Sequence, residues 1–411
     1  MDPYTRLTLI AFLLFMARGM TGPLSSIYWR SLGASYLSIG LLGTVMSIVA
    51  IGASYIWGRA SDRAGQRKGF LLGGLAGLAL CFVLLGVTRG ADVLFPIYAL
   101  VALSQAAYDV ASLALMGDWL EHRERLGGGD GTVSTGRRMG TYRGLASLGF
   151  GLMAFVSGFI ADLVSLRVPF LLAAGFFGMA FLMALWVGEP PDAAVGAEFD
   201  PEPAARSERG AGAGVSDRRL PLMPLLVAAL LWSLVTGAVY AVWGNYMVEV
   251  LAYTPGQMTR LWSLASLSEF PLMIFAGWPS DRIGRLPMLA AGFVAWTLVF
   301  VGYLIVPLMP WIVGVQLLRG FAYSAHTATA MTYTAEVRAR AERGRVSGLY
   351  GTSGALGSIL GSSFGGTATE FVGFRAMIAT AAAVIGAGAL YLVAVVVRIY
   401  GRAVIPQELR V

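Results

Sequence analysis

Four ionisable residues interrupt long apolar runs: Arg18, Asp109, Glu269 and Arg319. Near the centre of a membrane-spanning helix each such group costs about 3 kcal/mol to insert, so it is kept mainly where it faces a cavity or a partner. A carboxylate set beside a guanidinium in such a place can do chemistry. Desolvation favours the protonated acid, an adjacent cation favours the ionised one, and that balance is what a proton or anion switch requires. The bland alternative is a permanent ion pair, satisfied and inert. Glu269 lies roughly 12 Å along its helix from the nearest charged turn, at about 1.5 Å per residue, and Asp109 lies deeper than Asp118. Glu269 is therefore the first candidate proton carrier and Asp109 the second. His326 follows Arg319 by two helical turns, which puts both on one face. It is either a substrate or proton group, or a neutral buried ring bonded to a hydroxyl such as Ser324 or Thr327. His122 sits in a charged loop and reads as solvated. Tyr28, Tyr108, Phe150, Trp232, Trp243, Tyr246 and Tyr323 could stack on a ligand, although Trp and Tyr in membranes more often anchor at interfaces or pack.

The elements that must position these residues are membrane spans. The chain has 411 residues, 57% of them hydrophobic and 13% charged, with a mean hydropathy of +0.70. That length accommodates about twelve spans of roughly 20 residues with their loops. Apolar segments lie near 7–29, 38–57, 69–88, 93–117, 140–163, 168–188, 221–248, 257–276, 286–306, 311–335, 346–368 and 374–397. The expected fold is an all-α membrane protein. Its first apolar run has no small-residue cleavage site and is expected to stay as an uncleaved span. A single cysteine, Cys81, in an apolar run gives no disulfide framework and no thiolate metal site. No metal, cofactor or nucleic-acid partner is expected.

A short charged turn is written twice. Residues 58–68 read GRASDRAGQRK and residues 277–287 read GWPSDRIGRLP, so Gly58, Ser61, Asp62, Arg63 and Gly65 recur as Gly277, Ser280, Asp281, Arg282 and Gly284. The glycines permit a tight reversal between two spans. At this 219-residue offset Arg18 falls opposite Gly237, Ser35 opposite Thr254 and Asp62 opposite Asp281 without gaps. GTYRGLASLG from 140 is echoed by GRVSGLYGTSG from 344. Loops on the side of the repeated turns carry many arginines, among them Arg59, Arg67, Arg123, Arg137, Arg218, Arg285 and Arg338, whereas the other side offers Arg30, Arg89, Arg167, Arg260 and Arg375. The positive-inside rule makes the turns and both termini cytoplasmic, and accounts for the net charge of +7. Residues 189–219 are rich in Pro, Ala, Gly and charge and read as a flexible cytoplasmic linker between a bundle at 1–188 and a bundle at 220–411. Two like-built halves suit rocking about a central site.

The doubled G-x-x-S-D-R-x-G turn, the central linker and the six-plus-six layout resemble the major facilitator superfamily over essentially the whole chain. The resemblance implies twelve helices in two pseudo-symmetric six-helix bundles, with spans 1, 4, 7 and 10 lining a cavity, spans 3, 6, 9 and 12 facing lipid, and no catalytic residues. It implies that Asp62 and Arg63, with Asp281 and Arg282, form a cytoplasmic latch. With spans 1 and 4 adjacent in that fold, Arg18 and Asp109 become a pair; Glu269 with Arg319 and Asp118 with Arg143 become two more. A finer resemblance is to the lactose and phenylpropionate permease branch, carried by RGMTGPLSSIYW, by Gly140, Arg143 and Phe150, and by SLSEFPL around Glu269. It implies that Arg143 and Glu269 bind a sugar and that Phe150 stacks on it. The tenth span departs from that branch, with Arg319 and Ala322 in place of its His and Glu, and Arg18 has no counterpart there.

These readings lead to a secondary active transporter, with proton symport of a sugar or small organic acid as the leading mode. Arg18, Asp109, Asp118, Arg143, Phe150, Glu269, Arg319 and His326 are the candidate substrate-binding residues. Proton-coupled efflux of drug-like compounds is the alternative, since a buried acid could meet a cationic drug. A non-transporting sensor would need a soluble signalling domain, which neither the linker nor the residues after Arg398 can form. An ATP-driven pump would need a Walker element, and the run GTSGALGSILGSSFGG at 351–366 lacks the G-K-[ST] that would make it a phosphate loop. A monomer in the inner membrane is expected.

Overall fold

The computed structural model describes residues 2–125, 135–189, 221–305, 308–336 and 343–401. Within them the long helices are α1 (Pro3–Ser31), α2 (Tyr36–Ala64), α3 (Lys68–Val87), α4 (Leu94–Arg125), α5 (Thr135–Leu163), α6 (Val168–Ala184), α7 (Leu222–Asn245), α8 (Pro255–Ile283), α9 (Arg285–Ile305), α10 (Met309–Glu336), α11 (Arg343–Val372) and α12 (Phe374–Val396). They match the twelve apolar segments in order. Seven of them, α1 to α4, α7, α9 and α12, are long and apolar enough to cross a membrane by length and composition alone. Two shorter apolar stretches are Ser147–Leu163 within α5 and Val168–Ala184, which is α6.

Local sequence sets the helix ends. Ser35 caps α2 by accepting from the Ser38 backbone N–H at 3.1 Å, and Thr254, aligned with it, caps α8 by accepting from Gln257 at 3.1 Å. Gln257 returns a bond to the Thr254 backbone, completing a capping box. Gly65 and Gly284 terminate the same two helices with φ of 61° and 102°, a region open chiefly to glycine. Glu189 stands at the edge of the expected linker, and its carboxylate accepts from the backbone N–H of Arg67 and Lys68 at 2.6 and 2.7 Å, capping α3. Residues 190–219 of that linker lie outside the described residues.

Helix packing repeats before and after the linker. In the first set α1 packs on α5 and α6, α3 on α4 and α6, and α2 on α4; in the second α7 packs on α11 and α12, α9 on α10 and α12, and α8 on α10. Between the sets the main contacts are α2 with α11 and α5 with α8, which are images of one another under the same exchange. One bond repeats too: the Tyr28 hydroxyl donates to Leu85 O at 2.6 Å, and the Tyr246 hydroxyl to Tyr303 O at 2.7 Å.

That repeated bond corrects the gapless alignment. Tyr28 and Tyr246 are 218 apart, as are Leu85 and Tyr303, whereas Ser35 and Thr254 are 219 apart. Arg18 therefore lies opposite Thr236 rather than Gly237. The extra residue is absorbed where α7 ends in a π-helical turn, Tyr246–Val250, the usual way a helix accommodates a one-residue insertion.

Candidate functional site

A chamber of about 510 Å³ lies where the two sets of helices meet. Its wall is built largely from the second set. α7 gives Trp232, Ser233, Thr236, Gly237 and Tyr240; α8 gives Trp262, Ser266 and Glu269; α10 gives Arg319 and Tyr323. These fall at helical spacings of four and three to four, so each helix presents one polar and aromatic stripe. Phe15 from α1, Ser147 and Phe150 from α5 and Ser358 from α11 complete it. Trp296 of α9 also reaches the chamber, although the family resemblance assigned span 9 wholly to lipid.

Glu269 and Arg319 are brought together as expected. One carboxylate oxygen stands 4.0 Å from one guanidinium nitrogen, with the side chains 15% and 5% exposed. The contact is loose because the guanidinium is held by aromatic faces: its carbon lies 4.6 Å from the Trp262 ring centroid and 5.4 Å from that of Tyr240. Arg319 Nη1 is buried without a hydrogen-bond partner in the protein, as are Trp232 Nε1, Tyr240 OH and Trp296 Nε1 on the same wall. Pro271, inside α8 two residues after Glu269, removes a backbone donor there and loosens the helix beside the pair. His326 is buried behind the wall, stacked on Trp232 at 4.5 Å and tilted against Phe293 at 5.8 Å. Neither ring nitrogen has a partner, so the expected bond to Ser324 or Thr327 is not formed; Ser324 donates instead to the Glu269 carbonyl at 3.1 Å.

The first set of helices supplies a second pair. Arg18 Nη2 lies 3.5 Å from Asp109 Oδ2, Gln105 donates to the other Asp109 oxygen at 3.0 Å, and Arg18 sits 5.1 Å over the Phe15 ring. This pair is more open than the other, with side-chain exposures of 33% and 54%. Asp118 does not join it. It pairs at 3.0 Å with Arg67 near the end of α4, and the side chain of Arg143, its expected partner, lies outside the described residues. An analogous clamp, Arg285 bidentate on Glu336 at 2.9 Å for both bonds, ties the second repeated turn to α10. Among the described residues no group of three or more His, Cys, Asp and Glu is placed to hold a metal ion.

The chamber is shut on the face away from the repeated turns. Asp162, at the end of α5, accepts from Thr254 Oγ1 at 2.9 Å and from the Gly256 N–H at 3.0 Å, so it caps α8 from the other half. Glu370, at the end of α11, accepts from the Tyr36 N–H at 2.8 Å and caps α2 likewise. Both carboxylates sit at helix N-termini, where backbone donors and the helix dipole favour negative charge. Glu249 adds a short hydrogen bond from the Tyr36 hydroxyl, a bond from Asn245 at 3.1 Å and an Arg30 contact at 3.9 Å. Backbones touch beneath these bonds: a Cβ on Gly366 would fall 2.7 Å from Gly40 Cα, and one on Gly158 2.6 Å from Gly256 Cα.

Toward the repeated turns α2 and α11 part. Cβ atoms built on Gly52, Gly58, Gly344, Gly348 and Gly351 would meet nothing within 4 Å, and Tyr55 and Ile56 are exposed. Asp62, Arg63 and Arg282 are exposed on this open side, and the surroundings of Gly277 and the side chain of Asp281 lie outside the described residues. Among the described residues Asp62 and Arg63 form no ion pair with the other half.

Two like-built sets of helices around a polar chamber that is shut on one face define a secondary transporter. The sequence model of the Major Facilitator Superfamily matches residues 7–305 and 225–408. The chain belongs to that superfamily. It is 25% identical over 374 residues to a putative sugar efflux transporter of Deinococcus radiodurans, covering 90% of this chain and 92% of that one. It is 24% identical over 395 residues to the multidrug resistance protein MdtG of Klebsiella pneumoniae, covering 92% and 90%. The crystal structure of the nucleoside transporter NupG superposes with a TM-score of 0.76 at 16% identity, over 96% of this chain and 99% of that one.

Proposed function

We propose that this chain moves a small hydrophilic or amphipathic solute across the inner membrane by alternating access, coupled to protons, with a sugar or small organic acid as cargo. The observation that carries this reading is the buried Glu269 and Arg319 pair inside a chamber lined by unpartnered donors and aromatic faces. The halves, 1–188 and 220–411, rock about the α2 with α11 and α5 with α8 contacts as a monomer. The face with the repeated turns and both termini is cytoplasmic, so the described state faces inward, with Asp62, Arg63, Asp281 and Arg282 engaging when the outer face opens. Glu269 is the first proton carrier and Asp109 the second. Arg18, Phe150 and Arg319 contact the solute or its counter-charge, and His326 acts by holding Trp232.

Efflux of drug-like compounds is the second reading, favoured by the aromatic walls and by the MdtG relative. Proteoliposomes carrying the purified chain separate the two. Uptake of labelled sugars, carboxylates and cationic dyes is followed under pH gradients of either sign. Accumulation of a sugar or acid on the alkaline side supports symport, and expulsion of a dye against proton entry supports the alternative. No response of any flux to the gradient would refute both.

A further inference from the structure

We infer that the cargo carries a carboxylate, that this group takes the place of Glu269 on Arg319, and that one proton accompanies each monoanion. The inference rests on the transporter reading above and narrows it to a substrate class.

Three features of the chamber lead there. The first is the donor excess. Arg319 Nη1, Trp232 Nε1 and Trp296 Nε1 are donor-only groups without partners, and the Tyr240 hydroxyl is unpaired beside them. Burying such groups unsatisfied costs about 1–3 kcal/mol each, so a complementary ligand brings acceptors. The second is the grip on the guanidinium. Trp262 and Tyr240 lie against its faces, which leaves its edge for hydrogen bonding. Two coplanar oxygens of a carboxylate match that edge better than a hydroxyl or a carbonyl does. Glu269 reaches only one nitrogen, at 4.0 Å, and is easily displaced. The third is size. About 510 Å³ is in the lower half of the range for ligand sites, and Phe15, Phe150 and Trp262 wall it with rings, which suits one sugar or aryl ring bearing the acid.

Charge balance then fixes the stoichiometry. Among the described residues the empty site holds one guanidinium and one carboxylate and is neutral. Binding the anion alone would leave it with a net negative charge in a low-dielectric interior, and binding a proton alone would leave a bare guanidinium; both are costly. When the substrate carboxylate pairs with Arg319 and Glu269 takes up one proton to become the acid, the site is neutral again. Empty and fully loaded forms can therefore pass through the closed state, and the half-loaded forms cannot. The titratable and charged groups facing Glu269 among the described residues are Arg319 and Tyr323 of α10, Tyr240 of α7 and, beyond Arg319, Tyr303 of α9; across the chamber α5 offers Ser147 and Phe150. Among the described residues Arg319 is thus the cation that faces Glu269.

The test uses the full chain in nanodiscs and matched ligand sets: glucuronate, glucose and glucosamine, and benzoate, benzamide and benzylamine. Binding is read from the fluorescence of the chamber tryptophans. In at least one set the acid binds about tenfold or more tighter than its neutral and amino counterparts. Arg319→Gln removes that preference, while Glu269→Gln retains anion binding and makes it independent of pH. In proteoliposomes a pH gradient drives uptake of the acid and a potassium diffusion potential does not. The inference is overturned if a neutral or amino member binds as tightly as its acid, if no carboxylate binds, or if uptake responds to the potential. The wild-type comparison stands even if a variant fails to fold. Gradient-driven uptake of glucose alone would overturn this inference and leave the transporter reading intact.

Discussion

Neutralising Asp162 and Glu370, two of the carboxylates that cross the seam, should open the face away from the repeated turns. Asp162 accepts two bonds from the start of α8, at 2.9 and 3.0 Å, and Glu370 one from the start of α2, at 2.8 Å. Hydrogen bonds to charged acceptors contribute about 1.5–3 kcal/mol net when buried, and a charge at a helix N-terminus about 0.3–1 kcal/mol. Both acids are exposed, and Asn or Gln keeps one acceptor oxygen, so each replacement is discounted to about 1 kcal/mol. Asp162→Asn with Glu370→Gln then shifts the equilibrium by about 2 kcal/mol, or about thirtyfold, which would turn a 1:99 ratio of outer-open to outer-closed into about 1:3. Spin labels at Leu163→Cys and Phe371→Cys, both exposed at outer helix ends, report the distance between the halves once Cys81 is replaced by Ser. The double variant should gain a long-distance population that each single variant shows in part. An unchanged distance distribution would refute the assignment of these caps as the lock.

Three further outcomes follow from named contacts. Glu269→Gln should abolish accumulation driven by a pH gradient while sparing exchange of labelled for unlabelled solute; full accumulation would remove Glu269 from coupling. Gly366→Val should prevent α11 from seating against Tyr36 and Gly40, giving an outer-open protein that binds solute from outside and fails to transport, as read by the same spin labels; normal transport would show that the close approach is dispensable. His326→Phe preserves the stack on Trp232 and removes two unpartnered nitrogens, so solute Kd should stay within about threefold. A tenfold loss would place the imidazole in contact with solute or proton.

Much of this arrangement was legible in the residues. Ser35, Thr254, Gly65 and Gly284 mark helix ends by local rules, and the structure uses each as those rules require. Buried charge is so costly that Arg18, Asp109, Glu269 and Arg319 announced themselves, and the fold resemblance supplied the pairing. The misses have physical causes. Arg67 as a partner of Asp118 went unread, because several arginines compete at the ends of helices and spacing alone does not rank them. The register error of one residue came from a π-helical turn, which leaves no mark in hydropathy. Tyr240, Trp262 and Trp296 line the chamber but are not among the aromatics singled out from the sequence, yet 262, 266 and 269 on α8 and 232, 236 and 240 on α7 are helical stripes that periodicity exposes. Asp162 and Glu370 act across the seam, and no short-range pattern connects residues so far apart in sequence.

The central claim is that one chamber is open to one side of the membrane at a time. Ser233→Cys, with Cys81 replaced by Ser, places a thiol on the chamber wall for a membrane-impermeant maleimide. The account predicts rapid labelling from the face bearing the repeated turns, slow labelling from the opposite face, and reversal of that preference when Asp162→Asn and Glu370→Gln are added. Equal labelling from both faces, or a preference that the two substitutions leave untouched, would contradict it.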